Sequence, residues 1–136
     1  MLTQKSRYGL RALIYLAREG RSRSVATIAA DEGISAKFLE AILVELKRHG
    51  LVASRRGKAG GYRLGRAAGA ISFAEVIRAL DGPLALAPCA SRTAPGKCRG
   101  CKDPELCEIR PVLVAARDAT ARILEQRSLA EACGQR

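Results

Sequence analysis

Four of the chain's five cysteines fall within 19 residues, at Cys89, Cys98, Cys101 and Cys107, spaced C-x8-C-x2-C-x5-C. The stretch that carries them, CASRTAPGKCRGCKDPELCEIRP, holds almost no large apolar residue and reads as loop. Thiolates gathered on one loop can converge on a single metal ion or cluster, which an isolated thiol cannot do. Iron–sulfur clusters accept uneven spacings of thiolate ligands. Zinc takes four sulfurs tetrahedrally, and C-x2-C is half of such a site, although x5 is long for the other half. A thiol switch is the third chemistry, with Cys98 and Cys101, or Cys101 and Cys107, closing a disulfide on oxidation. Lys97, Arg99 and Lys102 lie among the thiols and would offset the charge of thiolates in every case. On the residues alone all three chemistries stay open. Cys133 stands apart near the C-terminus, and His49, the only histidine, is distant in sequence and suits a capping or phosphate role better than ligation.

An odd cysteine count without an export signal argues against a disulfide scaffold, because a reducing cytosol keeps thiols free. The N-terminus MLTQKSRYGLR has no apolar signal core, and no apolar run approaches the ~18 residues of a membrane span. The expectation is a soluble, cytoplasmic protein without a membrane partner. A thiolate enzyme would need a base beside the nucleophile, and no histidine lies near the cysteines, so catalysis is not expected.

Charge points to a partner. The net charge is +11, and residues 1–68 hold 14 Lys and Arg against 5 Asp and Glu, whereas residues 69–136 hold 10 against 8. A basic front half is the footprint of a polyanion partner, since each neutralised phosphate releases counterions.

The elements ahead of the loop fit that partner. Leu10, Leu13, Ile14 and Ala17 recur at helical spacing, predicting a helix over 3–18, with Arg7, Arg11 and Arg18 on another face. Ser24 caps a short helix ending at Gly33, and a tight connection leads into AKFLEAILVELKRHG, whose stripe is Leu39, Ile42, Leu43 and Leu46. Two helices so joined make a helix-turn-helix, and the second presents Ser35, Lys37 and Glu40, groups suited to a DNA groove. A carboxylate at Glu40 can accept from cytosine N4 and is repelled by phosphate, which makes it a specificity residue.

LVASRR and GYRLGR then bracket GKAGG as a β-hairpin with a glycine-rich tip. Five basic residues and no acid run from Arg55 to Arg66, so the hairpin reads as a DNA-contacting wing carrying Arg55, Arg56, Lys58 and Arg63. Ser72 and Glu75 form a capping box for the helix SFAEVIRALDG. Beyond Pro111, Val112, Ala116, Ala119 or Thr120, and Ile123 form a stripe on a long helix expected to cross to a second subunit.

This order of parts resembles the Rrf2 family of bacterial transcription regulators. The resemblance is carried by LTQKSRYGLRALIYLA, by SAKFLEAILVELKRHGLV and, most specifically, by SRRGKAGGYRLGR, which is similar to the family's R-G-x-x-G-G-Y-x-L signature. It implies a mainly α fold with a small β-hairpin wing: a winged helix-turn-helix plus a long C-terminal dimerisation helix. It implies a homodimer on a near-palindromic double-stranded DNA operator, acting as a repressor or dual regulator, with Ser35, Lys37, Glu40 and Arg56 at contact positions. The division expected is 1–82 for DNA binding, 83–109 for a sensor loop, and 110–136 for the dimerisation helix and tail.

Cluster-binding members carry three loop cysteines, the last two five residues apart as Cys101 and Cys107 are; here Cys89 lies farther upstream and Cys98 is additional. Some members are similar in using a histidine three residues after the last cysteine, where this chain has Arg110. Others use an N-terminal acid or histidine, where it has Arg7 or nearby Arg11. Neither arginine can ligate, so the resemblance implies an all-cysteine site for a 2Fe-2S or 4Fe-4S cluster drawn from Cys89, Cys98, Cys101 and Cys107, any spare thiol being Cys89 or Cys98, with zinc as the alternative occupant.

Overall fold

The protein is described here by a computed structural model covering residues 2–58 and 60–134; Met1, Ala59, Gln135 and Arg136 lie outside the described residues. Helix α1 (Gln4–Glu19) starts where the Thr3 hydroxyl accepts the Ser6 N–H at 3.2 Å and ends at Gly20 in the left-handed region. Its apolar stripe buries Leu10, Leu13 and Leu16. At Gly9 a Cβ would collide with Leu80, so the missing side chain is what lets α1 approach the next helix layer. Arg11 is exposed, and its guanidinium bonds the Glu32 carbonyl and carboxylate.

Helix α2 (Val25–Glu32) is capped by Ser24, and α3 (Ala36–Arg48) by Ser35. Between them Gly33 takes a positive φ and Ile34 is buried, which fixes the turn of the helix-turn-helix. Strands β1 (Val52–Arg55) and β2 (Gly61–Leu64) pair antiparallel from Val52 opposite Leu64 to Arg55 opposite Gly61. Helix α4 (Phe73–Asp81) opens on the Ser72/Glu75 capping box expected from the sequence. The cysteine stretch that follows is loop with two short 3-10 turns, Pro88–Ala90 and Pro104–Leu106. Helix α5 is Arg110–Glu125.

After α5 the structure departs from the expected tail. A sixth helix, α6 (Leu129–Cys133), forms behind a second capping box, Ser128 with Glu131. Leu129 is fully buried and its N–H donates to the Ile71 carbonyl at 3.0 Å, while Phe73 N–H donates to Arg127 O at 3.0 Å. The chain end is thus stitched beside the start of α4 and packs on α1, where the Cys133 thiol lies 3.7 Å from the Ile14 carbonyl oxygen. One core joins these parts through Leu13, Leu16, Ile28, Leu39, Leu43, Leu46, Ile71 and Leu129.

Helix α5 is different. Ala121 is its only buried residue, whereas Val112 is 69% and Ile123 58% exposed. Three such side chains on one helix of a 136-residue chain, counting Ile109 just before it, leave an apolar face without a partner in the single chain.

Candidate nucleic-acid interface and thiol cavity

The helix-turn-helix and the wing are fastened to each other by side chains. Tyr62 on β2 donates its hydroxyl to Glu40 on α3 at 3.3 Å, and Lys47 on α3 donates to Ser54 on β1 at 2.6 Å. Ser35, Lys37 and Glu40 are all exposed, the Ser35 hydroxyl capping α3 by accepting from Phe38 N–H at 3.4 Å. In the wing Arg55, Arg56, Lys58 and Arg63 are exposed, and among the described residues none is paired with a carboxylate. Arg66, the last cation of that run, is instead bound to Glu75 at 2.7 Å. Burial pushes the Glu75 carboxyl up, but hydrogen bonds from Arg66 and Ser72 outweigh it and hold the group below its ordinary value.

Two features of this face were not foreseen. Tyr62 is 8% exposed, and its phenol is shifted up by burial and by the Glu40 carboxylate. Arg23, from the α1–α2 connection, pairs its backbone with Tyr62 as an antiparallel bridge. The sequence marks Tyr62 only through the family signature, and a single-residue bridge leaves no periodicity to read.

The four loop cysteines line one cavity of about 510 Å³ between the loop and the start of α5. Each sits on a tight turn. Cys89 lies in the 3-10 turn Pro88–Ala90, and Cys107 closes the turn Pro104–Leu106 by donating its N–H to Pro104 O at 3.3 Å. Cys101 N–H donates to Cys98 O at 3.0 Å across Arg99-Gly100, and Gly100 supplies the positive φ that the turn needs. The cavity wall includes Leu106, Ile109 and Leu113, with Arg99 and Lys102 at its rim.

The donor set fits a thiolate-ligated centre: four sulfurs, an apolar wall and nearby cations. As they stand the thiols ring the cavity without closing, for among the described residues no three His, Cys, Asp or Glu side chains converge on one point. None of the cysteines is in a disulfide. Burial, then the neighbouring Cys98 thiol, pushes the Cys89 thiol up against the opposing Arg110 charge.

Arginines tie the loop to α5. Arg92 makes a two-pronged contact with Asp118, at 2.9 and 2.8 Å, and Arg117 reaches the same carboxylate at 2.7 Å. These hydrogen bonds hold Asp118 well below the usual carboxylate range. Arg110 donates through Nε to the Cys89 carbonyl at 3.3 Å and pairs with Glu105 at 3.3 Å. It therefore braces the cysteine loop from a position three residues after Cys107. Arg7 stays exposed on α1 and does not line the cavity.

Known proteins share this fold. A family model described as Rrf2, iron-dependent transcriptional regulator, matches residues 2–135. An rrf2-like HTH-type transcriptional regulator of Rhodobacter capsulatus is 44% identical over 117 residues, covering 82% of this chain and 78% of its own. CymR (YrzC), the global cysteine regulator of B. subtilis, is similar in fold with a TM-score of 0.81, covering 100% of this chain and 98% of its own at 30% identity. IscR of T. potens has a TM-score of 0.75, covering 96% and 83% at 26% identity.

Proposed function

The chain belongs to the Rrf2 family of transcriptional regulators, a DNA-binding regulator and not an enzyme, and from that premise we propose that its operator binding is controlled by an iron–sulfur cluster held by Cys89, Cys98, Cys101 and Cys107. The observation that carries the reading is that all four thiols line a single cavity at the foot of α5. A bound cluster supplies a centre that responds to iron supply and oxidation. The chain supplies the rest.

Arg110 and Arg92 transmit the placement of the loop to α5, because both bridge loop and helix. Helix α5, with Val112 and Ile123 exposed, pairs with its copy in a second subunit to make a homodimer. Ser35, Lys37 and Glu40 of each subunit meet base edges, while Arg55, Arg56, Lys58 and Arg63 meet phosphate or the minor groove. Two winged units on one two-fold axis must match the half-site spacing, so a small shift of α5 costs much of the specific affinity.

A second reading keeps the DNA face and makes the loop a thiol switch. The tight turn that joins Cys98 to Cys101 favours it: hydrogen peroxide would oxidise the two thiols to one disulfide, with two waters released. The visible absorption spectrum of protein purified without oxygen, with iron supplied, separates the readings. A brown sample whose absorbance is lost in Cys101→Ala supports the cluster; a colourless one overturns it in favour of zinc or the switch.

A further inference from the structure

The connection between α1 and α2 contributes nothing to the interface read from the sequence, yet the fold builds it into the same face. Arg23 N–H donates to Tyr62 O at 2.9 Å and Tyr62 N–H to Arg23 O at 2.8 Å, so residue 23 lies against β2 like a third strand. Gly61 makes the approach possible: its φ is +127°, and a Cβ there would run into the Arg23 carbonyl oxygen. The result is a cleft of about 530 Å³ with Arg21, Ser22 and Ser24 on one side and Arg55 and Lys58 on the other.

The cations in and beside this cleft are not equivalent. Arg23 is committed to the fold, its guanidinium 3.1 Å from Glu19 and 5.9 Å from the centre of the Tyr15 ring. Arg21 reaches the same carboxylate only at 3.8 Å, with its side chain 70% exposed. Glu19 is therefore already satisfied, and Arg21 is free to turn outward. Arg55 and Lys58 have no carboxylate partner among the described residues, and no acidic side chain lines the cleft.

Three loosely held cations facing each other across a cleft with hydroxyls in its wall repel one another until an anion enters. Hydroxyls and guanidinium groups together suit anionic oxygens. The wing that forms one wall is the same hairpin that Tyr62 fastens to α3, so an anion here lies beside the proposed groove-reading helix. We propose that the α1–α2 connection and the wing form a phosphate-binding cleft, in which Arg21 and Ser22 grip the DNA backbone opposite Arg55 and Lys58.

This inference rests on the reading that α3 and the wing engage duplex DNA. A phosphate grip fixes register without reading sequence, so its loss weakens binding to all sequences alike. The test is a titration of the full-length protein with random-sequence duplex DNA over a series of salt concentrations. Arg21→Gln is expected to weaken binding and to make the salt dependence shallower by about 0.9 in log–log slope, one phosphate contact, with Arg21→Lys restoring the wild-type slope. Wild-type affinity and slope in Arg21→Gln, with Arg55→Gln impaired, overturn the cleft and leave the DNA face standing. A wild-type protein that binds no duplex overturns both.

Discussion

The Tyr62 hydroxyl donates to Glu40 Oε1 at 3.3 Å, and the backbone of the same tyrosine pairs with Arg23. One wing residue thereby ties down both the exposed Glu40 carboxylate of α3 and the α1–α2 connection. Tyr62→Phe keeps the ring in its buried site and removes only the tie to Glu40. Its expected cost is about 0.5–1.5 kcal/mol in a urea melt. Selection from a randomised duplex library is expected to show relaxed preference at one base position, with affinity for random duplex unchanged.

Stability is expected to fall at both ends of the pH range. Burial raises the Glu75 and Asp81 carboxyls, but hydrogen bonds from Arg66 and Ser72, and from Thr3, prevail and hold both below their ordinary values. The unfolded chain then binds protons first as pH falls, so stability present above about pH 4 is lost as pH drops through the lowered folded values. The Tyr15 phenol is raised by its hydrogen bond to Asp31 and by burial, and the Tyr62 phenol by burial and then Glu40. Here the folded chain holds its protons longer, so the stability is full below about pH 10 and is lost above it. Urea midpoints across pH are expected to show a shallower acid limb in Asp81→Asn and a shallower alkaline limb in Tyr15→Phe.

Leu129→Ala tests whether α6 is part of the core. The side chain is fully buried, so its truncation is expected to destabilise the fold by about 2–5 kcal/mol, against a negligible change for a frayed tail, read from the shift in urea midpoint.

Ile123→Glu tests the free face of α5. The residue is 58% exposed in the single chain, so the substitution is expected to leave the helical circular dichroism intact and to shift sedimentation from dimer to monomer. An unshifted sedimentation coefficient would place the subunit contact elsewhere.

The parts legible in the sequence were those with a repeating physical signal. Leu39, Ile42, Leu43 and Leu46 announce α3 by spacing, Ser72 and Glu75 announce α4 by their reciprocal caps, and the run from Arg55 to Arg66 announces a basic hairpin. What stayed hidden has no period. Helix α6 carries the same Ser-x-x-Glu signal, at Ser128 and Glu131, but it is five residues long and only Leu129 reaches the core. The Arg23–Tyr62 bridge and the Tyr62–Glu40 bond join residues far apart in the chain through one contact each. In the loop, the C-R-G-C turn is written in Gly100, whereas the gathering of Cys89 with the other three thiols around one cavity depends on how the whole loop folds against α5.

The central claim is that the occupant of the thiol cavity governs DNA binding. Its most direct measurement is the affinity of anaerobically prepared, iron-loaded protein for a duplex enriched from a random library by that same protein, before and after iron is removed with a chelator under reducing conditions. The expected result is a loss of most of the specific affinity on iron removal, with binding to random duplex little changed. Equal specific affinity in the two states would contradict the account.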